Sequence, residues 1–214
     1  MRPHRHVLAT IILSALLTWW MAGCAGSTAP TRYYVLTPGA EVAVAPSGTG
    51  TACSPALGVG PVRLPGLLDW PQIVTRRGAD EIDRAEFDRW AEPLAESVPR
   101  VLAENLAALW KTDRVAVFPW DPAQAVQYQL VVNVMRFDGA MGGDVVLDAR
   151  WRILAADGEE LAVNRSMLTQ PTGGMGYQAV VTAMSRALEA FSREIASTLG
   201  TLPRAGSIVQ GSPC

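Results

Sequence analysis

The amino-acid sequence predicts an α/β domain in which two main helices cover a sheet of about five strands. Short β-rich runs separated by Pro and Gly occupy the first part and most of the second half of the chain. Two other segments instead place apolar residues at intervals of three and four, which is typical of amphipathic helices. The order along the chain is strands, helix, four strands and helix, and this order favours helices packed on a sheet.

Four short strands are predicted before the first helix. Each is rich in β-formers or flanks a turn, and residues 76–79 form the turn of a small hairpin. Residues 37–54 are dense in Pro, Gly, Ser and Thr, which predicts a loop between the first two strands. The predicted strands are residues 33–36, 56–64, 72–75 and 80–84.

The first helix is predicted from Leu94, Val98, Leu102 and Leu106, which recur at helical spacing. Pro93 suits a first helical turn. Pro99 lies inside the pattern, so it should either kink the helix or mark a true start after Ser97.

The second half predicts four strands and a long helix. In residues 145–154, apolar residues alternate with Asp148, Arg150 and Arg152, which predicts a strand with one buried face. Asp157-Gly158 predicts a hairpin turn into the next strand. An apolar stripe from Tyr177 to Leu199 predicts the last helix, which ends at Gly200 and Pro203. The predicted strands are residues 114–118, 128–137, 145–154 and 161–169.

The N-terminus has the layout of a secretory signal. Arg2 and Arg5 precede the apolar run of residues 7–21, which is shorter than the ~20 residues that a membrane-spanning helix needs. Met21-Ala22-Gly23-Cys24 resembles the bacterial lipobox, which implies cleavage before Cys24 and acylation of that residue. Residues 1–23 are therefore predicted to be a signal peptide, and residues 24–31 a lipidated tether. The alternative is a permanent N-terminal membrane helix.

Cleavage before Cys24 would change the composition of the working protein. Basic residues fall from 18 to 16 against 20 acidic ones, so the net charge becomes −4. Both histidines, His4 and His6, are removed, and Lys111 is the one lysine left. Histidine-dependent catalysis and histidine metal sites are thus excluded, and an acidic chain without a basic run is a poor candidate for binding nucleic acid. We expect no enzyme activity, no cofactor and no metal.

Three charged or glycine-rich segments contain residue types that occur in ligand sites. The acidic residues between Asp80 and Glu92 are interleaved with arginines and lack the spacing of a calcium loop, so a solvated or salt-bridged surface is favoured. Residues 171–176 are interpreted as a plain turn before a helix. Asp148, Arg150 and Arg152 on one strand face either recognise a carboxylate or phosphate or face a partner subunit.

Cys53 and Cys214 are the two remaining cysteines. In an oxidising compartment an even pair is more often bonded than free, so we predict a disulfide that ties the C-terminal tail, residues 204–214, to the start of the core. The alternative is a pair of free thiols near two chain ends.

The N-terminal half resembles the PqiC/YmbA family, the ABC-type transport auxiliary lipoproteins of Gram-negative bacteria. The resemblance rests on YYVL at residues 33–36, VGPV at 59–62, LDWPQIVTR at 68–76, RWAEPL at 89–94 and VLAENL at 101–106. It implies a three-layer α/β sandwich with a mixed sheet, similar to anticodon-binding-like and TolB N-terminal domains, over residues 32–203.

The resemblance also implies a function in transport. It predicts an outer-membrane lipoprotein on the periplasmic side that docks an MCE-domain protein of an intermembrane lipid-transport system, with a possible homo-oligomeric ring; Ala25, which is not Asp, favours sorting to the outer membrane. The alternative is a carrier that itself shuttles phospholipid. Trp and Arg, which are typical of interface hot spots, occur together in residues 70–90, and the alternative is that both tryptophans are buried in the core. These candidate interface residues are Trp70, Pro71, Arg76, Arg77, Arg89 and Trp90.

Overall fold

The computed structural model describes residues 29–39, 56–121 and 123–202. Every helix and strand given below lies within residues 32–201. The predicted signal peptide, the acylated Cys24, the Cys53–Cys214 disulfide and the tail at 204–214 lie outside the described residues.

The described residues form eight strands, two α-helices and one short 3₁₀ helix at Gly66–Leu68. The α-helices are α1, Leu94–Trp110, and α2, Tyr177–Thr201. The strands are β1 Arg32–Tyr34, β2 Leu57–Arg63, β3 Gln72–Arg76, β4 Ile82–Trp90, β5 Val115–Val117, β6 Tyr128–Gly139, β7 Asp144–Ala155 and β8 Glu160–Pro171.

Five strands form one mixed sheet in the order β5-β2-β6-β7-β8. Strand β2 runs parallel to β5 and β6, whereas β6, β7 and β8 are antiparallel. The predicted α/β class, with a five-stranded mixed sheet and two main helices, is confirmed. The hairpin between β7 and β8 turns at Gly158, whose φ of 88° suits glycine.

Three of the four strands predicted before α1 form a separate sheet. Its strand order is β1-β4-β3. Strand β4 continues to Trp90, six residues past the predicted end at Arg84, because its last three residues pair with β1. The predicted hairpin is confirmed as β3 and β4, which are antiparallel. This second sheet was not predicted, since the partner of β1 is 56 residues away in the chain.

The core lies between the helices and one face of the five-stranded sheet. Both helices contact this sheet and each other, which places them side by side on the same face. Burying each large apolar side chain there stabilises the fold by roughly 1.5–3 kcal/mol. The predicted alternation in β7 is confirmed, since its buried residues are Val145, Leu147, Ala149, Trp151 and Ile153.

Helix α1 begins at Leu94. The prediction that Pro99 marks a helix start after Ser97 is therefore wrong. The amides of Glu96 and Ser97 both donate to the carbonyl of Pro93, at 3.0 Å each, which starts the helix before Pro99. Pro99 lacks the amide that would bond the carbonyl of Ala95. Ala95 is exposed, so that carbonyl is close to solvent.

Polar bonds hold the segment after β1 against both helices. The Gly39 amide donates to Oδ1 of the buried Asn105 on α1, at 2.8 Å, and Asn105 Nδ2 donates to Ser192 Oγ on α2, at 3.3 Å. The Thr37 amide donates to Ser185 Oγ of α2, at 3.2 Å. These bonds satisfy buried polar groups and fix the segment that follows β1 against the two helices.

A buried ion pair joins the two sheets. Asp138 of β6 is 2% exposed and accepts two hydrogen bonds from Arg76 of β3, from Nε at 3.0 Å and from Nη2 at 2.7 Å. Arg136 donates a third bond, from Nε at 2.8 Å. Burial raises the pKa of Asp138, but the hydrogen bonds from Arg76 and Arg136 outweigh it, so this pKa lies below its ordinary value of 3.8.

The lowered pKa of Asp138 predicts a loss of stability in acid. The ionised carboxylate contributes fully above the pKa of the unfolded chain, and this contribution disappears as the pH falls from about 5 through the lower folded pKa. In Asp138→Asn, we expect a free energy of unfolding about 3–5 kcal/mol lower near pH 7, because Arg76 loses its charged partner. We also expect the free energy of unfolding of this variant to fall less steeply than that of the wild type between pH 5 and pH 3. Urea unfolding at each pH measures this.

The control is Asp144→Asn, at an exposed position of the neighbouring strand β7. It should keep the wild-type pH dependence. An Asp138→Asn protein with the wild-type slope in acid would contradict the assignment.

Candidate partner-binding surface

Trp70 is presented by a short turn whose base is anchored in the core. The 3₁₀ helix Gly66–Leu68 closes with a bond from the Leu68 amide to the Pro65 carbonyl, at 2.9 Å, and Leu68 is 4% exposed. Trp70 follows two residues later and is 40% exposed. The turn therefore holds a large aromatic ring at the surface of the molecule.

Arg84 of β4 lies over the Trp70 ring, with its Cζ atom 4.4 Å from the ring centroid. Such a cation–π contact contributes roughly 0.5–1 kcal/mol at an exposed site. Arg84 was not among the predicted interface residues. Its position reduces the number of orientations that the free Trp70 side chain can adopt.

Pro71 and Trp90 have different environments although they are bonded to each other. The Trp90 amide donates to the Pro71 carbonyl, at 2.8 Å, and Pro71 itself is exposed. Trp90 is 6% exposed and belongs to the hydrophobic core. Trp90 is thus a core residue, the alternative left open above, because β4 is the central strand of the small sheet and its last residues are covered.

The three predicted arginines serve three different purposes. Arg76 is committed to Asp138, and its Nη1 also donates to the Ala79 carbonyl, at 2.8 Å. Arg77 is exposed and pairs with Asp83, at 2.8 Å. Arg89 is half-buried, and its Nε is buried without a hydrogen-bond partner among the described residues. Of these arginines, Arg77 and Arg89 remain accessible to a partner.

Strand β1 and the residue that follows it add two exposed residues that the interface prediction lacked. Tyr33 and Val35 are 66% and 48% exposed, whereas the intervening Tyr34 is half-buried and Leu36 is 2% exposed. Tyr33 pairs in register with Arg89, which in turn pairs with Gln72 of β3. Alternate residues of a strand point to opposite faces, so the YYVL run could have predicted that Tyr33 and Val35 share one face. We call the exposed set Tyr33, Val35, Trp70 and Ile82 the small-sheet surface.

Asp88 departs from the predicted solvated acidic cluster. It is 4% exposed and accepts a hydrogen bond from the Tyr34 hydroxyl, at 2.7 Å, and from Arg32 Nη2. Burial and then this bond to Asp88 raise the pKa of Tyr34. Asp80, Glu81 and Glu86 are exposed as predicted. Within the described ranges, no group of three possible ligands lies close enough to hold a metal ion.

A family model matches most of this fold. The model describes the ABC-type transport auxiliary lipoprotein component and matches residues 34–196. The chain belongs to this family. The match confirms the PqiC/YmbA-type resemblance. It runs from Tyr34, the last residue of β1, into α2, and it includes Val35, Trp70 and Ile82 of the small-sheet surface.

Solved structures support the fold of this auxiliary lipoprotein. A structure titled only as an uncharacterized protein is 22% identical, covers 80% of this chain and 99% of its own, and gives a TM-score of 0.65. A Xanthomonas campestris protein of family DUF330 is 20% identical, with coverage of 78% and 93% and a TM-score of 0.61. A dodecamer of PelC from Paraburkholderia phytofirmans is 15% identical, with coverage of 68% and 91% and a TM-score of only 0.40. No curated protein matches the sequence.

The two tryptophans should differ sharply in their effect on stability. Trp90→Ala removes a buried core ring and should lower the free energy of unfolding by about 3–5 kcal/mol. Trp70→Ala should cost about 1 kcal/mol, mainly through the contact with Arg84. Thermal and urea unfolding of both auxiliary-lipoprotein variants would measure this. Equal losses would contradict the placement of Trp70 at the surface and Trp90 in the core.

Proposed function

We propose that this chain is the outer-membrane-anchored, periplasmic component of an MCE-type intermembrane lipid-transport system. It acts there as a docking or assembly subunit, with an MCE-domain protein as its partner and a homo-oligomeric ring as its working form. The observation that carries this proposal is Trp70, a large aromatic side chain held at the surface under Arg84 in a family of transporter auxiliary components.

The small-sheet surface has the physical properties of a binding site. Exposed Tyr and Trp supply large contact areas at low cost in side-chain entropy, and Trp, Tyr and Arg dominate interface hot spots. Tyr33 is exposed and pairs in register with Arg89, and the exposed Trp70 ring lies under Arg84. The ion pair between Arg76 and Asp138 fixes the small sheet to the larger one, so a partner binds a preformed surface.

Membrane attachment is proposed to occur through the lipidated Cys24. In the part of the chain that the structure describes, no helix is long and apolar enough to cross a membrane. Three acyl chains, at about 0.8 kcal/mol per buried CH₂, make a stable anchor. The tether at residues 24–31 then connects this anchor to β1.

Trp70→Ala should weaken partner capture without unfolding the protein. We expect at least a tenfold loss in recovery of the MCE-domain protein after cross-linking in intact envelopes, because a hot-spot aromatic residue contributes about 2 kcal/mol or more. The readout is mass spectrometry of proteins bound to the affinity-tagged lipoprotein.

The matched control is Met175→Ala, which truncates another large apolar side chain that is 76% exposed, in the turn before α2. Its capture of the MCE-domain protein should stay at the wild-type level. Recovery that is unchanged in Trp70→Ala, or equally reduced in Met175→Ala, would refute the role of the small-sheet surface.

Residues 24 and 25 should determine lipidation and sorting. Cys24→Ala should abolish incorporation of labelled palmitate, because no thiol is then left at the lipobox. Ala25→Asp should keep the label but move the protein from the outer to the inner membrane, as measured in membranes separated by density. If Ala25→Asp stayed in the outer membrane, this sorting assignment would be wrong.

A further inference from the structure

The face of the five-stranded sheet that lies opposite the helices carries a row of four exposed polar residues on four strands, and three of the four are arginines. Arg63 of β2 pairs in register with Asn133 of β6, Asn133 pairs with Arg150 of β7, and Arg150 pairs with Arg165 of β8. All four residues are exposed. At about 4.8 Å between strands, the row spans roughly 14 Å. We call this the open face. Its charged residues, counted together with Arg76 of β3, which reaches Asp138 from the small sheet, are Arg63, Arg76, Arg136, Arg150, Arg152, Arg165, Asp138, Asp144, Asp148 and Glu160.

The charge of the open face is opposite to that of the remaining surface. Its six arginines exceed its four carboxylates, which gives a net charge of +2. The other described residues contain nine basic and fifteen acidic side chains, a net charge of −6. An anionic surface therefore attracts this face and repels the remainder of the domain.

Two arginines of the open face make no ion pair with the carboxylates of that face. Asp148 binds Arg165 through two bonds, of 2.9 and 2.7 Å, Glu160 binds Arg152, at 2.9 Å, and Asp138 binds Arg76 and Arg136. The remaining two, Arg63 and Arg150, make no ion pair with any described residue.

The position of Arg150 is unfavourable for folding alone. It lies directly opposite Arg165 on the same face of an antiparallel pair, where like charges are destabilising. Its other neighbour in the row, Asn133, is neutral, and Asp148, which attracts Arg150 on the same strand, is already bound by Arg165 through two hydrogen bonds. A bound anion would offset this repulsion and would supply the acceptors that Arg63 and Arg150 lack.

Apolar side chains project from the same part of the sheet. Val163 and Met167 flank Arg165 on β8 and are 66% and 64% exposed, and Met135 of β6 is 49% exposed. Arginine next to exposed apolar groups is the composition of surfaces that lie at a lipid headgroup boundary.

We propose that the open face docks on an anionic lipid surface, with Arg63 and Arg150 binding headgroup phosphates and Val163 and Met167 entering the boundary layer. A lipid surface is favoured over an acidic protein because the cations form a broad row on a flat sheet, with exposed apolar side chains beside them. Membership of a lipoprotein family also places the domain near a membrane. This inference is independent of partner docking through the small-sheet surface.

The test uses the full lipidated chain in vesicles, so that the anchor is the same in every sample. An environment-sensitive fluorophore is attached at Met167→Cys, with Cys53 and Cys214 replaced by serine. Vesicles of phosphatidylcholine alone are compared with vesicles that also contain phosphatidylglycerol. We expect a blue shift in the anionic vesicles, and its loss in 1 M salt, where the Debye length is only about 3 Å.

The decisive variant is Arg63→Gln combined with Arg150→Gln. At about one fivefold factor for each arginine near an anionic membrane, the ratio of docked to undocked protein should fall about 25-fold. The control, Arg186→Gln combined with Arg193→Gln, removes the same charge from exposed positions of α2, outside the open face, and should retain the shift. Unchanged thermal unfolding of both variants shows that the fold is intact.

Three results would overturn the proposal. The first is a blue shift of equal size in neutral and anionic vesicles. The second is a blue shift that survives in the Arg63/Arg150 variant. The third is a blue shift that depends on protein concentration, which would identify a second copy of the chain as the occupant. A response to poly-glutamate without a response to phosphatidylglycerol would identify an acidic protein instead. None of these results would affect capture of a partner through Trp70.

Discussion

The ion pair between Arg76 and Asp138 is the interaction on which the arrangement of the two sheets depends. A carboxylate that is 2% exposed is costly to bury alone, and three hydrogen bonds from two arginines make its burial possible. One of these arginines belongs to the small sheet and the other to the large one. Removing the charge of Asp138 would leave a partly buried guanidinium unpaired and would loosen the junction that positions Trp70.

This junction separates two exposed surfaces of different chemistry. The small-sheet surface is aromatic, with Tyr33 and Trp70 as its large residues. The open face is cationic, with Arg63 and Arg150 lacking ion pairs among the described residues. Asp138 connects the two regions, because it belongs to a strand of the open face and binds Arg76 of the small sheet. A subunit with these surfaces can meet a protein partner and a membrane with different parts of the same rigid fold.

Secondary structure was predicted well where local pattern and tertiary environment agree. The alternation in β7 and the stripe in α2 require one buried face each, and both bury that face. Predictions were less accurate where a distant segment decides the outcome. Strand β4 extends to Trp90 because it pairs with β1, and α1 begins at Leu94 because the Pro93 carbonyl accepts its first amide bonds.

The sequence by itself determined the α/β class, the two helices, the hairpins and the family, because periodicity and family motifs are local properties of the chain. It also indicated that Trp70 and the arginines near it in the sequence are candidates for a partner interface. Only the tertiary structure decided that Trp90 is core, that Arg76 is bound to Asp138, and that Arg84 lies over Trp70. Burial and ion pairing are set by residues far away in the chain, and strand register aligns arginines from different strands into the cationic row of the open face.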